Sequence, residues 1–469
     1  MRARGQGLLT LLVVAATVAG ALALDRLGPR EASGVARGTA PSAAWLCPHG
    51  GGKAYEATVF LANPGEAEVV ARVTELAADG PTDTSLVTVP AGSQIAVAVD
   101  SSDRSSSTFV ETFGGWIAAG WLVRGAEGEV GIGAEPCTPE ARRGWVSAAA
   151  TTDQGDDAFL IVMNPFAADA VFDVALFAAD RAPIRDSELT DVTLRPRRSV
   201  AIRVNDYAQG EPGLGLSIEV STGRVAASTL VVSEGRGIAS VVASPTPADR
   251  QLMLTSKATG RSVLAVAVPT AAPGSGQAGP LGSVLTATLR SEGPPQPAGG
   301  LSEVVQDPES AATYGVTTTG PSAVDLTVSE GSPVVAALRT AGVGNDGGAT
   351  AGTSAPSVAW VVMPTIAGEP ARPGLLVLNP GRSETTVTVT ALPSARQDTA
   401  ARTTTISLPP GSVAGVPREF LDGVGAASLL VRSDGSPIVA LGASTSLGNE
   451  GLSVSALGVG VPILEPGTP

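Results

Sequence analysis

The run Val59-Phe60-Leu61-Ala62-Asn63-Pro64-Gly65 follows Trp45, with the Asn 18 residues downstream. The pairing returns at Trp145 with Asn164-Pro165 and at Trp360 with Asn379-Pro380, each at an offset of 19. Leu160-Ile161-Val162-Met163 and Leu375-Leu376-Val377-Leu378 precede these two Asn-Pro pairs. A short apolar run closed by Asn-Pro reads as a strand entering a turn, because Pro has no N–H for a ladder and Asn bonds nearby backbone. Alternation follows: Val69, Ala71 and Val73 in one copy, Val387 and Val389 among Thr386, Thr388 and Thr390 in another. A second strand is therefore expected.

Two further markers recur. One is a Pro with a Ser three residues on: Pro90-Ala91-Gly92-Ser93, Pro196-Arg197-Arg198-Ser199 and Pro409-Pro410-Gly411-Ser412. The other is a Gly turn between apolar runs, at Glu127-Gly128, Thr222-Gly223, Glu330-Gly331 and Asp434-Gly435. Both are hairpin chemistry. Trp145 and Trp360 lie 215 residues apart, about twice the 100 between Trp45 and Trp145, so a degenerate copy sits between them, with Leu252 in place of its Trp.

These markers predict an all-β chain of four tandem immunoglobulin-like β-sandwich repeats, each of about seven strands. The repeats span 44–140, 141–246, 247–340 and 358–466. The third is degenerate and carries a Pro/Gly-rich insertion over 269–300, and 341–357 is expected as a linker. A β-propeller is the rival architecture, although about 100 residues is long for one blade.

The N-terminus sets the compartment. Arg2 and Arg4 precede Leu8 to Leu24, a run without charge, and Asp25-Arg26 closes it. Residues 1–24 therefore read as a signal anchor or signal peptide, with 25–43 as a spacer. Ala21-Leu22-Ala23 offers a cleavage site, while the length of the run favours a retained anchor. The remaining chain is expected outside the cytoplasm, secreted or held at the inner membrane by residues 8–24. In that oxidising setting Cys47 and Cys137, the two cysteines, have one possible pairing.

Composition excludes several functions. The net charge is −14 and the only lysines are Lys53 and Lys257, which argues against a nucleic-acid partner. The same acidity argues against docking on an anionic membrane through a basic patch. The single His, His49, lies in a Gly-rich segment and reads as an exposed loop residue. No metal, cofactor or catalytic set is expected, since two Cys and one His fall short of a structural zinc site. The glycines Gly342, Gly344 and Gly347 form a Gly-x-Gly-x-x-Gly string with no helix after it. Asp153, Asp156 and Asp157 read as a solvated turn, with a Ca²⁺ site or a carboxylate pair as the alternative. Trp116 and Trp121 are absent from the other copies and are the candidate exposed binding patch.

The basic-apolar N-terminus, Leu61-Ala62-Asn63-Pro64-Gly65, Pro90-Ala91-Gly92-Ser93 and Leu376-Val377-Leu378-Asn379-Pro380-Gly381 together resemble actinobacterial secreted or membrane-anchored proteins forming a family of unknown function. The resemblance implies residence in the cell envelope and brings no activity or site residues. The expectation is a non-enzymatic envelope scaffold whose partners are envelope proteins or cell-wall glycans. The alternatives are a glycan-binding accessory protein of wall polysaccharide assembly, or a carboxylate-dependent glycosidase.

Overall fold

The computed structural model describes residues 42–461 apart from 127–130, 235–236, 245, 256–261, 270–281, 292–294, 299, 319, 342–346, 366–370, 396–400 and 447–453. The expected anchor at 8–24 and the Glu127-Gly128 turn lie outside the described residues. Among the described residues no helix is long and apolar enough to cross a membrane. The fold is all-β, with antiparallel sheets throughout.

Copy one supplies eight strands: β1 (Ala43–Cys47), β2 (Tyr55–Asn63), β3 (Val69–Ala77), β4 (Gly80–Val89), β5 (Ser93–Val99), β6 (Ser107–Phe113), β7 (Ala118–Gly125) and β8 (Ile132–Pro136). They form two sheets, ordered β1-β6-β3-β4 and β5-β2-β7-β8. The same two orders recur in the other three copies. The order differs from an immunoglobulin domain of seven strands, where the first strand joins the second and the last joins the sixth. Here β1 pairs with β6 and β7 pairs with β2.

The two regions set aside as irregular complete copy three. Strand Ser283–Arg290, inside the expected insertion, pairs with Ser322–Glu330. Strand Gly347–Ala351, inside the expected linker, pairs with Val335–Ala341 and is the counterpart of β8. Gly347–Ala351 is masked by its own Gly- and Ala-rich composition, which propensity reads as coil, and Ser283–Arg290, rich in Val, Leu and Thr, by the Pro- and Gly-rich residues on either side.

Buried polar side chains show why the markers recur. Asn63 donates from Nδ2 to the carbonyls of Ala67 (2.8 Å) and Val89 (3.0 Å) and accepts the Gly65 N–H at Oδ1 (2.9 Å). Asn164 does the same with Ala168, Leu194 and Phe166, and Asn379 with Ser383, Leu408 and Gly381. Each Asn thus ties the end of one sheet to the turn entering the other. Copy three has Val268 at this place, opposite Ser310. There Gln306, the counterpart of Leu408, reaches the carbonyls of Val266 (3.0 Å) and Ser310 (3.3 Å).

The Trp marker has a parallel logic. Trp145 Nε1 donates to the Val225 carbonyl and Trp360 Nε1 to the Ile438 carbonyl, both at 2.7 Å. In copy three Gln251 Nε2 donates to the Val334 carbonyl at 3.0 Å. Gln251, rather than Leu252, therefore replaces the Trp. The Gly turn is also re-registered. Gly223, Gly331 and Gly435 have φ of 78°, 97° and 132° after the sixth strand of their copies, and the copy-one counterpart is Gly114 (φ 88°).

The Pro-Ser turn places one residue of each copy at positive φ: Gly92 (60°), Arg197 (51°), Glu309 (52°) and Gly411 (66°). In copy two the matching four residues are Arg195 to Arg198, one earlier than the Pro-x-x-Ser match, because Arg198 is the residue opposite Asn164. Copy three carries the turn as Asp307-Pro308-Glu309-Ser310, with Asp in place of the leading Pro.

The copies close on one another. The outer face of the first sheet of copy one, with Leu46, Leu76 and Phe109, enters the core of copy two. Copy two packs Val146, Ala148 and Phe177 on Ala265, Ala267 and Ala311 of copy three. Leu252, Leu254 and Ala323 of copy three join the core of copy four. Copy four returns Val361, Met363 and Leu430 to the core of copy one. Gln94 seals this last junction, donating to the Ala426 carbonyl (2.5 Å) and accepting the Ser428 N–H (2.8 Å). Strand β8 contacts Gly237–Val242 and Val454–Leu457, and each of these contacts Gly347–Ala351. The four last strands thus meet in a cycle, and residues 41–469 form one compact unit. The closure is that of the propeller rival, with two sheets from each copy.

Asn379→Val is expected to lower stability by ~1–3 kcal/mol, because it strands the buried Leu408 carbonyl and removes the side chain that holds the turn at Ser383 and Gly381. Adding Leu408→Gln installs the copy-three solution and is expected to recover part of the loss, read as the midpoint of guanidinium unfolding.

Candidate functional site

Cys47 and Cys137 form the expected disulfide, with Cα atoms 4.5 Å apart. It links β1 to the residue after β8, and Leu46 and Thr138 exchange backbone hydrogen bonds of 2.8 and 2.9 Å beside it. The bridge is therefore part of the copy-one scaffold.

The Trp116 and Trp121 patch is corrected. Trp121 is 1% exposed and lies in the copy-one core. Trp116 is half-buried and meets Trp45 edge-on, with ring centroids 5.8 Å apart. Trp116 follows the Gly114-Gly115 turn, and the pair packs on a core that also holds Phe60, Leu61, Ile117 and Trp121.

His49 is also corrected, from exposed to buried. Its Nδ1 lies 2.7 Å from the Gly50 carbonyl and its Nε2 3.0 Å from Thr108 Oγ1. Burial lowers its pKa to about 4, so the ring is neutral at physiological pH. The aspartates of the 153–157 turn are engaged locally. Asp156 accepts from Ser233 (2.7 Å) and Thr151 (3.2 Å), and Asp157 pairs with Arg203 (2.6 Å). Among the described residues no group of His, Cys, Asp or Glu is placed to hold a metal ion.

One buried acid went unseen in the sequence. Glu135 on β8 is 2% exposed, and both its carboxyl oxygens lack a hydrogen-bond partner among the described residues. It lies opposite Trp121, whose Nε1 is likewise unpaired among them. Burial pushes the Glu135 carboxyl well above the usual range, and the Val242 N–H, which lies near it without meeting hydrogen-bond geometry, offsets part of that. The strand beside β8 belongs to copy two, a neighbour that periodicity does not reveal.

A groove of about 660 Å³ lies at the junction of copies one and two. Its apolar part includes Leu46, Phe109 and Phe166, and Arg142, Arg143 and Arg224 line it as well. Phe166 is 45% exposed, immediately after the Asn164-Pro165 turn. The backbone fixes the arginines: Arg142 and Val225 exchange hydrogen bonds of 2.9 and 3.1 Å, and the Arg143 carbonyl accepts the Val220 N–H at 2.8 Å. Arg142 pairs with Glu140, while Arg143 and Arg224 are exposed and make no ion pair among the described residues.

The model of a family of unknown function (DUF5719) matches residues 114–341. The match begins at the β6–β7 turn and ends in copy three, and brings no activity with it. No curated protein matches the chain. Among solved structures, an α-L-rhamnosidase of Streptomyces avermitilis complexed with L-rhamnose is 12% identical over 84% of this chain and 55% of its own, with a TM-score of 0.12. A trypsin-activated alpha-2-macroglobulin from Escherichia coli is 10% identical over 88% of this chain and 42% of its own, also at 0.12. The chain thus spans about half the length of either protein, and at that TM-score neither likeness identifies a fold or an activity.

Glu135 gives a pH test. Its pKa is raised on folding, so its stabilising contribution is complete below the unfolded-state value near 4.3 and is lost as pH rises. From this one carboxyl the native chain should lose up to about 1.4 kcal/mol per pH unit above that value until the folded carboxyl itself ionises, while His49, whose pKa falls on folding, acts in the opposite sense until pH is well above 6.5. Glu135→Gln is expected to flatten that slope, read as denaturation midpoints between pH 6.5 and 8.

Proposed function

We propose that this chain is a non-enzymatic, extracytoplasmic protein of the cell envelope, held at the membrane by residues 8–24 or released after cleavage. Its copies are read as immunoglobulin-like sandwiches with an altered strand order. The observation that carries the compartment is the buried Cys47–Cys137 disulfide, because such bridges persist in oxidising surroundings. The Ala/Gly/Arg bias and scarcity of Lys agree with an actinobacterial source.

A binding role is favoured over catalysis by where the polar groups go. The repeated Asn residues hold turns, His49 is a neutral core residue, and the carboxylates Asp156 and Asp157 are taken by Ser233, Thr151 and Arg203. The glycan-binding alternative moves from the buried Trp121 to the groove beside Phe166, which offers an open aromatic face. An envelope protein would meet the same surface.

Leu86 is 70% exposed on β4 and serves as a reporter. Leu86→Cys is expected to react with a membrane-impermeant maleimide in intact cells, with Cys47 and Cys137 unreactive until reduction. Labelling of position 86 only after lysis would sink the extracytoplasmic assignment.

A further inference from the structure

The four copies act as controls for one another, since residues needed for the fold recur and residues recruited for another purpose need not. At the groove copy two departs from the others. Arg142 bridges to Val225 as Ala248 does to Val334 and Ser357 to Ile438. The carbonyl of Arg143 accepts a sheet N–H as those of Asp249 and Val358 do. Arg224 precedes Val225 where Pro333 and Pro437 precede their counterparts. The backbone roles are the same, and the arginines are additional.

The Asn-Pro turn repeats the pattern. Phe166 donates its N–H to Asn164 as Gly65 does to Asn63 and Gly381 to Asn379. A large exposed aromatic thus stands where two copies carry glycine. Arg197 donates its N–H to the Phe166 carbonyl at 3.0 Å, as Gly92 does to that of Gly65. Arg197 holds φ 51°, a conformation that costs a side-chain-bearing residue about 1–2 kcal/mol. Glu309 shares the strain in copy three and pairs across the junction with Arg185. Arg197 is exposed and has no ion pair among the described residues.

We infer that this groove binds an anionic glycan, a sugar chain bearing phosphate or carboxylate groups. Arg143 and Arg224 contact the anionic groups, Phe166 stacks on a sugar face, and Arg197 meets the adjoining charge. Guanidinium forks fit both phosphate and carboxylate. The concave shape and the volume suit a few sugar units better than a flat bilayer. Glu140 neutralises Arg142, which leaves Arg142 to shape the wall. The inference deepens the binding reading and rests on it only for where the ligand is met.

The test is calorimetric titration of the full-length chain, in uncharged detergent, with three probes of equal length: a polygalacturonate oligomer, a poly(glycerol phosphate) oligomer and a neutral dextran oligomer. Phosphatidylglycerol vesicles form a fourth arm. Saturable binding of an anionic oligomer, weakened by salt and absent with dextran, is expected. Arg143→Ala with Arg224→Pro should weaken it about tenfold or more, and Phe166→Gly should weaken it with an unchanged salt slope. These replacements already occupy equivalent places in other copies, and thermal unfolding reports whether each variant is folded. No binding of either anionic oligomer, equal binding of dextran, undiminished affinity in folded variants, or binding to the vesicles alone would each overturn the assignment. None of these outcomes bears on labelling at position 86, so the compartment and the ligand fail separately.

Discussion

Each copy leaves the outer face of its first sheet apolar, and water does not accept such a face at low cost. The next copy covers it with its own second sheet, and the fourth returns to the first. This burial from copy to copy is the constraint from which the other features follow. Strands β1, β2 and β7 and their counterparts are covered on both sides, which explains runs such as Val59-Phe60-Leu61-Ala62 without alternation. Outer strands such as Thr385–Leu392 have one open face and alternate. The scarcity of aromatics has the same origin, since small side chains such as Ala265, Ala267 and Ala311 fill the narrow contacts between copies.

Polar residues inside such a stack must satisfy themselves locally, because a lone buried donor or acceptor is expensive. The Asn of the Asn-Pro turn does this in copies one, two and four, and the Trp or Gln of the first strand in copies two, three and four. Trp45 departs from the pattern, with Nε1 unpaired among the described residues, and it is the Trp that meets Trp116. Glu135 departs from it more sharply, and both lie in the copy that carries the disulfide.

The groove at the first junction shows why bulk charge is a poor guide to local chemistry. A chain of net charge −14 places Arg142, Arg143 and Arg224 around one concavity. The basis of that clustering is the fold. Residues 142–143 and 224 are brought together by a bridge between the first strand and the Gly turn, and Phe166 enters from a different hairpin.

The residues alone determined the strand content, the four-fold repetition and the disulfide, because each rests on local periodicity or on there being only two cysteines. They misplaced Gly114, Gln251 and the copy-two turn, because motif matching follows residue identity while equivalence is set by pairing register and hydrogen bonds. They also exposed Trp121 and His49, whose covering partners include the distant residues Val59 and Thr108. Closure of the copies, the burial of Glu135 and the arginine groove were decided by tertiary structure. Each depends on contacts between faces of separate copies, and side-chain alternation says which face is apolar but not what will cover it.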